Sequence, residues 1–446
     1  MTLKLRTVSR VALLVALLAV APSGWAAEPP ASADIELARM ALVQDAAAEQ
    51  LRAMGPAALD AFRAAHGEVP SPTDVAGPEA DDLRAAYDRV AGQRDAWSSH
   101  LYWYTSDEAA IAEAQRTGRP ILSLQMLGKL TDDLSCANSR FFRTALYANT
   151  EVSTYLRDNF VLIWDTVRPV PLITIDFGDG RTLERTITGN SAHLVLDKHG
   201  RPVDALPGLY GPTTFLRVLE EARVLAVECG DAATEGERRE KLIAWHGKRA
   251  DELATKLAAA RYQSARAAAA TAQPILSFAK SIAESPSFRA VGTKDPSGAP
   301  TDELVGDWEA LAERLGTLEQ IDQGSRRVIA AKQAGDPDAA MRLALSKVLV
   351  EDPLARLTRN FERTLSADTA LNEYELHPRI HRWFAEGDVG SYQAFTSRIY
   401  AEVFLMPSAD MWLGLAPRDT YSGLDKGGLA FPAVEGLIPI QPGKPL

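Results

Sequence analysis

The sequence predicts an α/β fold, a mixed sheet with helices on both faces over 97–229, set between a helical N-terminal segment (27–96) and a mostly α-helical C-terminal region (230–405). Three observations carry this reading. An apolar strand-like run, Ile121-Leu122-Ser123-Leu124-Gln125-Met126-Leu127, is followed by helical patterns and then by a second run, Phe160-Val161-Leu162-Ile163-Trp164. That is the layout of a β-α-β crossover, whose strands lie parallel and adjacent. Two hairpin patterns and a helix from Pro212 come next, which closes a mixed sheet. Outside this block, apolar residues recur mainly at helical spacing.

The N-terminus is expected to be a secretory signal. Lys4, Arg6 and Arg10 precede an apolar run over 11–21, and Gly24-Trp25-Ala26 offers a small-x-small cleavage site, so 1–26 is assigned as a signal peptide. The mature chain is then exported, periplasmic or extracellular. The apolar run is shorter than the ~20 residues a membrane span needs, so a soluble chain with no integral membrane segment is expected after cleavage. Lysine and arginine number 48 against 59 acidic residues, a net charge of −11. That balance argues against nucleic acid as a partner, because the surface has no excess of cations to release counterions. The length suits two or three domains.

Taken in order, three amphipathic patterns (Ile35-Leu37-Met40-Leu42, Leu51-Met54-Leu59-Phe62 and Leu83-Tyr87-Val90) surround a Pro-rich break over 69–78. Leu101-Tyr102-Trp103-Tyr104 is β-prone, and Ser106-Asp107-Glu108-Ala109 caps a helix that stops at Thr117-Gly118. After the first strand, a helix is expected to begin near Cys136, and another carries Val152, Tyr155 and Leu156 to Asn159. Asp179-Gly180 sits between two alternating runs, 172–177 and 181–187, a hairpin signal. His193-Leu194-Val195-Leu196 then turns at Asp197-Lys198-His199-Gly200 into Pro202-Val203-Asp204-Ala205-Leu206. Further helices are expected over 212–228, 238–270, 274–283, 301–315, 320–334, 337–350 and 393–404. The Pro-, Gly- and Ser-containing stretch 286–300 reads as an exposed loop, and 406–446 as an irregular tail.

The stretch 120–169 resembles the active-site half of thioredoxin-like domains, in which a strand is followed by C-H-W-C-H, then S-F-x-x-x-x-V and N-F-V. Cys136 falls on the first cysteine and Ser139 on the second, with Tyr147 at the aromatic, Val152 at the valine and Asn159-Phe160-Val161 at the next strand. With 101–118 and 190–222 added, the resemblance covers about a quarter to a third of the chain. It implies a thioredoxin-like domain and a thiol-disulfide exchange site without a cofactor. In that site Cys136 is the nucleophile that forms a mixed disulfide with a protein or small-molecule thiol, and Ser139 donates a hydrogen bond to the thiolate. Backbone N–H groups of Asn138 and Ser139 stabilise the charge at the helix start. Ser139 leaves no resolving thiol, so isomerisation or thiol capture fits better than net reduction. Gly189-Asn190-Ser191-Ala192 stands where the family places a cis-proline; a non-proline cis bond costs ~3 kcal/mol, so trans geometry is expected. Asp132 and Asp133 would oppose the thiolate, and Arg140 and Arg143 would favour it. The competing reading makes Cys136 a buried small residue on a degenerate fold. The protein is then a non-catalytic binding or scaffold protein whose C-terminal helices offer the partner surface.

The remaining chemistry is thinner. Export invites a disulfide between Cys136 and Cys229, but a helix over 212–228 would carry Cys229 roughly 20 Å from the sheet end, so two free thiols are expected. His377 and His381 stand at i and i+4 with Glu373 and Glu375 nearby, yet Pro378 suits a first helical turn and no third histidine is linked by spacing, so no metal is assigned. Asp176, Asp179 and Asp197 sit in turn dipeptides, and Gly178-x-Gly180 is a hairpin signal. Trp103, Trp164 and Trp412 are read as core residues, and the basic face over 238–270 as solvated or partner-facing.

Overall fold

The computed structural model describes residues 30–187, 189–263, 302–334, 353–406 and 423–428. The signal segment, the helices expected over 274–283 and 337–350, the loop 286–300, Trp412 and most of the tail 406–446 lie outside the described residues. The chain is a mixed α/β structure in which helix predominates.

Among the described residues, four short helices come first: α1 (Ser32–Ala41), α2 (Asp45–Arg52), α3 (Ala57–His66) and α4 (Pro78–Ala91). The last starts with proline in its first turn, where the missing N–H is no loss, and ends at Gly92 in the left-handed region. They bury Leu51, Phe62, Tyr87 and Val90 in a second cluster, to which Trp97, Tyr102, Ala148 and Val328 add.

Helix α5 (Asp107–Thr117), capped by Ser106, leads into the central sheet. Its strands are β1 (Ile121–Leu127), β2 (Val161–Arg168), β5 (Ala192–Leu196) and β6 (Pro202–Pro207), in the order β2-β1-β5-β6. β1 runs parallel to β2, β5 antiparallel to β1, and β6 antiparallel to β5. Tyr104 adds an isolated parallel bridge to Ile163, outside β2. β1, β5 and β6 are buried at every position, which is why β1 reads as a largely apolar run, while β5 and β6 bury His193 and Asp204 among apolar residues. Between β1 and β2 lie α6 (Ala137–Phe141), which passes into a π-helical turn over Phe142–Leu146, and α7 (Thr150–Asn159), capped by Asn149. The hairpin β3 (Leu172–Asp176) and β4 (Thr182–Thr186) forms as its Asp-Gly turn suggests, but it is a separate two-stranded sheet.

Helix α8 (Pro212–Gly230) follows β6, and α9 (Glu235–Gln263) follows it. Then come α10 (Asp302–Leu315), α11 (Gln323–Ala334), α12 (Pro353–Leu371), α13 (His377–Ala385) and α14 (Tyr392–Arg398), the last two each joined to a π-helical turn, Asn372–Leu376 and Ile399–Val403. The helix over 353–371 has no counterpart in the sequence reading; Pro353 opens it, a position at which proline starts a helix as readily as it breaks one. These helices do not stand apart from the sheet. Leu365, Ile380, Trp383, Phe384, Phe395, Ile399 and Tyr400 belong to the same apolar core as β1, β2, β5 and β6. Glu319 fixes one junction by accepting the N–H groups of Thr213 and Thr214, both at 2.9 Å, at the first turn of α8. Among the described residues, no helix is long and apolar enough to cross a membrane.

Candidate functional site

Cys136 is the N-cap of α6. Its own N–H donates to Leu127 O at the end of β1, and its carbonyl accepts from Arg140 N–H, so the strand end and the helix start meet at this residue. The side chain is 0% exposed. Its Sγ lies 3.2 Å from Ser191 Oγ. A Cβ placed on Gly189, whose φ is +122°, would come within 2.9 Å of Cys136 Cβ. Glycine is thus required there both by backbone conformation and by the closeness of the cysteine. Every peptide bond among the described residues is trans, the Gly189-Asn190-Ser191-Ala192 stretch included.

The other two expected site residues are close to the cysteine in the chain, with different partners. Ser139 Oγ donates to Ser135 Oγ at 2.6 Å and lies 2.8 Å from Cys136 O, so this hydroxyl serves the helix start, while the sulfur faces Ser191. Asn138 is 0% exposed, and neither its side-chain oxygen nor its nitrogen has a partner. The two arginines expected to favour a thiolate hold neighbouring backbone, and Arg140 a threonine hydroxyl as well. Arg140 donates to Ser135 O and to Thr186 Oγ1, and Arg143 to Asp132 O, with Leu130 O and Asp133 O slightly farther.

A roof over this site comes from the far end of the chain. Tyr400 Oη donates to Asn190 O at 2.8 Å and lies 3.2 Å from Gln125 O. Burial first, and then the neighbouring Cys136, push its hydroxyl well above the usual tyrosine range, so it stays a donor. Tyr392 Oη sits 2.8 Å from Ser123 Oγ and 2.5 Å from Gln125 Nε2, and Asn190 Nδ2 lies 3.7 Å from Met406 Sδ. The segment from Tyr392 to Met406 is therefore bonded to β1 and to Asn190, next to the serine that faces the cysteine. Beneath it, His193 of β5 is fully buried, with Nε2 2.7 Å from Tyr147 Oη and Nδ1 without a partner. Burial lowers its pKa to about 3 and keeps the ring neutral.

Both cysteines are free and buried, and burial raises Cys229 to about 11. Trp103 is wholly buried with its indole N–H on Gln93, and Trp164 donates to Gly92 O, both core placements. Asp176 and Asp179 accept backbone N–H groups within their turn, and Asp197 pairs with Arg201 and Arg238.

One grouping escapes the spacing argument. His381 is joined by His246 of α9 and Asp204 of β6, with donor atoms all within 4.8 Å of one another, and His377 bonds Asp204. The absence of a spacing-linked third histidine thus concealed a spatial one. Glu373 and Glu375 point elsewhere, to Arg217 and Arg249 and to Arg261. No family model, curated protein or solved structure matches this chain.

Proposed function

We propose that this is an exported protein with a thioredoxin-like central domain used as a non-catalytic binding scaffold, its partner surface lying on the C-terminal helices. The observation that carries the reading is the complete burial of Cys136 beneath Tyr400. A nucleophilic thiol must be reached by its partner disulfide, and reactive cysteines sit in partly exposed, electropositive surroundings. Here Arg140 donates to Ser135 O and the Thr186 hydroxyl, Arg143 to Asp132 O, and the Ser139 hydroxyl to Ser135. The strand order, with Tyr104 outside β2 and the cysteine at the β1–α6 junction, supports the thioredoxin-like assignment.

The thiol-exchange reading keeps one observation in its favour: Cys136 still caps a helix start, where first-turn N–H groups would stabilise a thiolate once uncovered. Alkylation by iodoacetamide separates the two. In the mature chain carrying Cys229→Ala, the scaffold reading expects no native modification on the timescale of a free thiol at any pH from 6 to 9, and full modification in denaturant. Rapid native modification with an apparent pKa near 7 or below would replace it with the exchange reading.

A further inference from the structure

Asp204, His246 and His381 come from three elements, an edge strand and two helices, and each is 0% exposed. His246 Nε2 lies 2.8 Å from Val203 O. A carbonyl can only accept, so this nitrogen carries the proton, and in the neutral ring Nδ1 is left with its lone pair. That lone pair faces His381 Nδ1 at 2.8 Å, which is itself 3.9 Å from Asp204 Oδ1. Asp204 Oδ1 already takes the Ala205 N–H at 2.8 Å and His377 Nε2 at 2.9 Å, whereas Oδ2 is buried without a partner.

We propose that Asp204 Oδ2, His246 Nδ1 and His381 Nδ1 bind one late first-row divalent transition-metal ion, of which Zn²⁺ is the reference. Two imidazoles with one carboxylate select this class over Ca²⁺ or Mg²⁺, which take all-oxygen shells. At metal–nitrogen distances of ~2.1 Å, nitrogens 2.8 Å apart subtend about 85°, so the pair fits one ion with little movement. On binding, the proton on His381 Nδ1 moves to Nε2, the ring stays neutral, and both Nδ1 lone pairs turn to the ion.

The surroundings hold His246 and Asp204 by hydrogen bonds and His381 by ring packing, the Nε2 of His381 being buried without a partner. His246 donates its other N–H to Val203 O, and His377 grips the carboxylate from behind. His246 stacks on Phe384 at 4.1 Å and 8°, His377 stacks on His381 at 4.0 Å, and Trp245 meets both His246 and His381 edge-on. Ligands from β6, α9 and α13 make the ion a clamp that fastens the helical region to the sheet. A divalent ion would also add positive charge beside the buried carboxylate of Asp204.

The test is a titration of the chelator-treated, full-length mature chain with Co²⁺, then Zn²⁺, followed by absorption, bound-metal analysis and thermal melting. One ion per chain is expected, with a cobalt spectrum abolished by zinc and a melting temperature raised by zinc and lowered by chelator. Asp204→Asn and His246→Gln should weaken binding by more than 100-fold, and His377→Gln by about 10- to 100-fold. Should a ligand variant fail to fold, X-ray absorption on the wild-type zinc form decides, with nitrogen and oxygen neighbours at about 2.0–2.1 Å expected. Lack of stoichiometric binding by the wild type, variant affinities equal to wild type, or sulfur in the ion's shell would each overturn the proposal.

Discussion

Replacing Tyr400 with phenylalanine should open the roof over Cys136 without changing its shape. The hydroxyl bonds Asn190 O at 2.8 Å and approaches Gln125 O at 3.2 Å, and the side chain is 3% exposed, so water cannot readily replace it. Leaving a buried carbonyl without its donor costs ~1–3 kcal/mol. If the segment from Tyr392 to Met406 opens locally to admit reagent, that cost enters directly into the opening equilibrium. At tenfold per 1.4 kcal/mol, alkylation of Cys136 in a Cys229→Ala background should quicken by about 5- to 140-fold. The assay is mass-resolved iodoacetamide modification under native conditions, at reagent levels where the rate follows the open population. Tyr87→Phe is the control. Its hydroxyl bonds His100 Nδ1 at 2.9 Å in the separate N-terminal cluster, so it should lower stability while leaving the Cys136 rate unchanged. A Tyr400→Phe rate within twofold of the parent, or an equal acceleration by Tyr87→Phe, would refute local opening of this roof.

Three further outcomes follow from the geometry. Gly189→Ala should cost about 1–3 kcal/mol, since φ is +122° and the new Cβ would lie 2.9 Å from Cys136 Cβ; an unchanged melting temperature would count against this packing. His193 titrates at about 3 when folded and near 6.5 when unfolded, so the unfolded chain binds the extra proton between those values and stability falls as pH falls through that window. Its share of the loss between pH 7 and pH 5 is about 2 kcal/mol, and denaturant unfolding of His193→Leu should show a correspondingly shallower acid dependence than wild type. Glu319→Ala strips two N–H groups at the α8 start of their acceptor and should cost ~1–2 kcal/mol, with Glu319→Gln recovering part of it; equal stability of Ala and Gln variants would show that these bonds contribute nothing.

Local chemistry made much of the central sheet legible. The run 121–127 is apolar because both its faces are covered, Cys136 follows the strand end at a helix start, and Asp179-Gly180 marks its turn. The crossover also made β1 and β2 parallel neighbours, but neighbours beyond the crossover and the hairpins were not legible. The β3–β4 hairpin carries the same turn signal whether it joins the sheet or stands beside it. Tyr400 lies 275 residues beyond the carbonyl of Gln125 it approaches, and no period or spacing links them. The same holds for the histidines: the i, i+4 pair His377 and His381 was visible, whereas His246 lay in a helix read only for its charged face. Asp204 sat in a hairpin strand where a single aspartate carries no signal of its partners. The partner of the Ser139 hydroxyl depends on a rotamer that sequence does not carry; here it bonds Ser135 Oγ and the Cys136 carbonyl.

The closed thiol is tested most directly by exchange itself. The native mature chain with Cys229→Ala is incubated with excess glutathione disulfide at pH 8, and the intact mass is followed over time. A sealed Cys136 predicts that any glutathione adduct forms only at the slow rate supplied by local opening and unfolding, far below that of an exposed thiol, and that the adduct is complete once denaturant is added. Formation of the mixed disulfide in the folded chain at the rate of an exposed thiol would contradict the account.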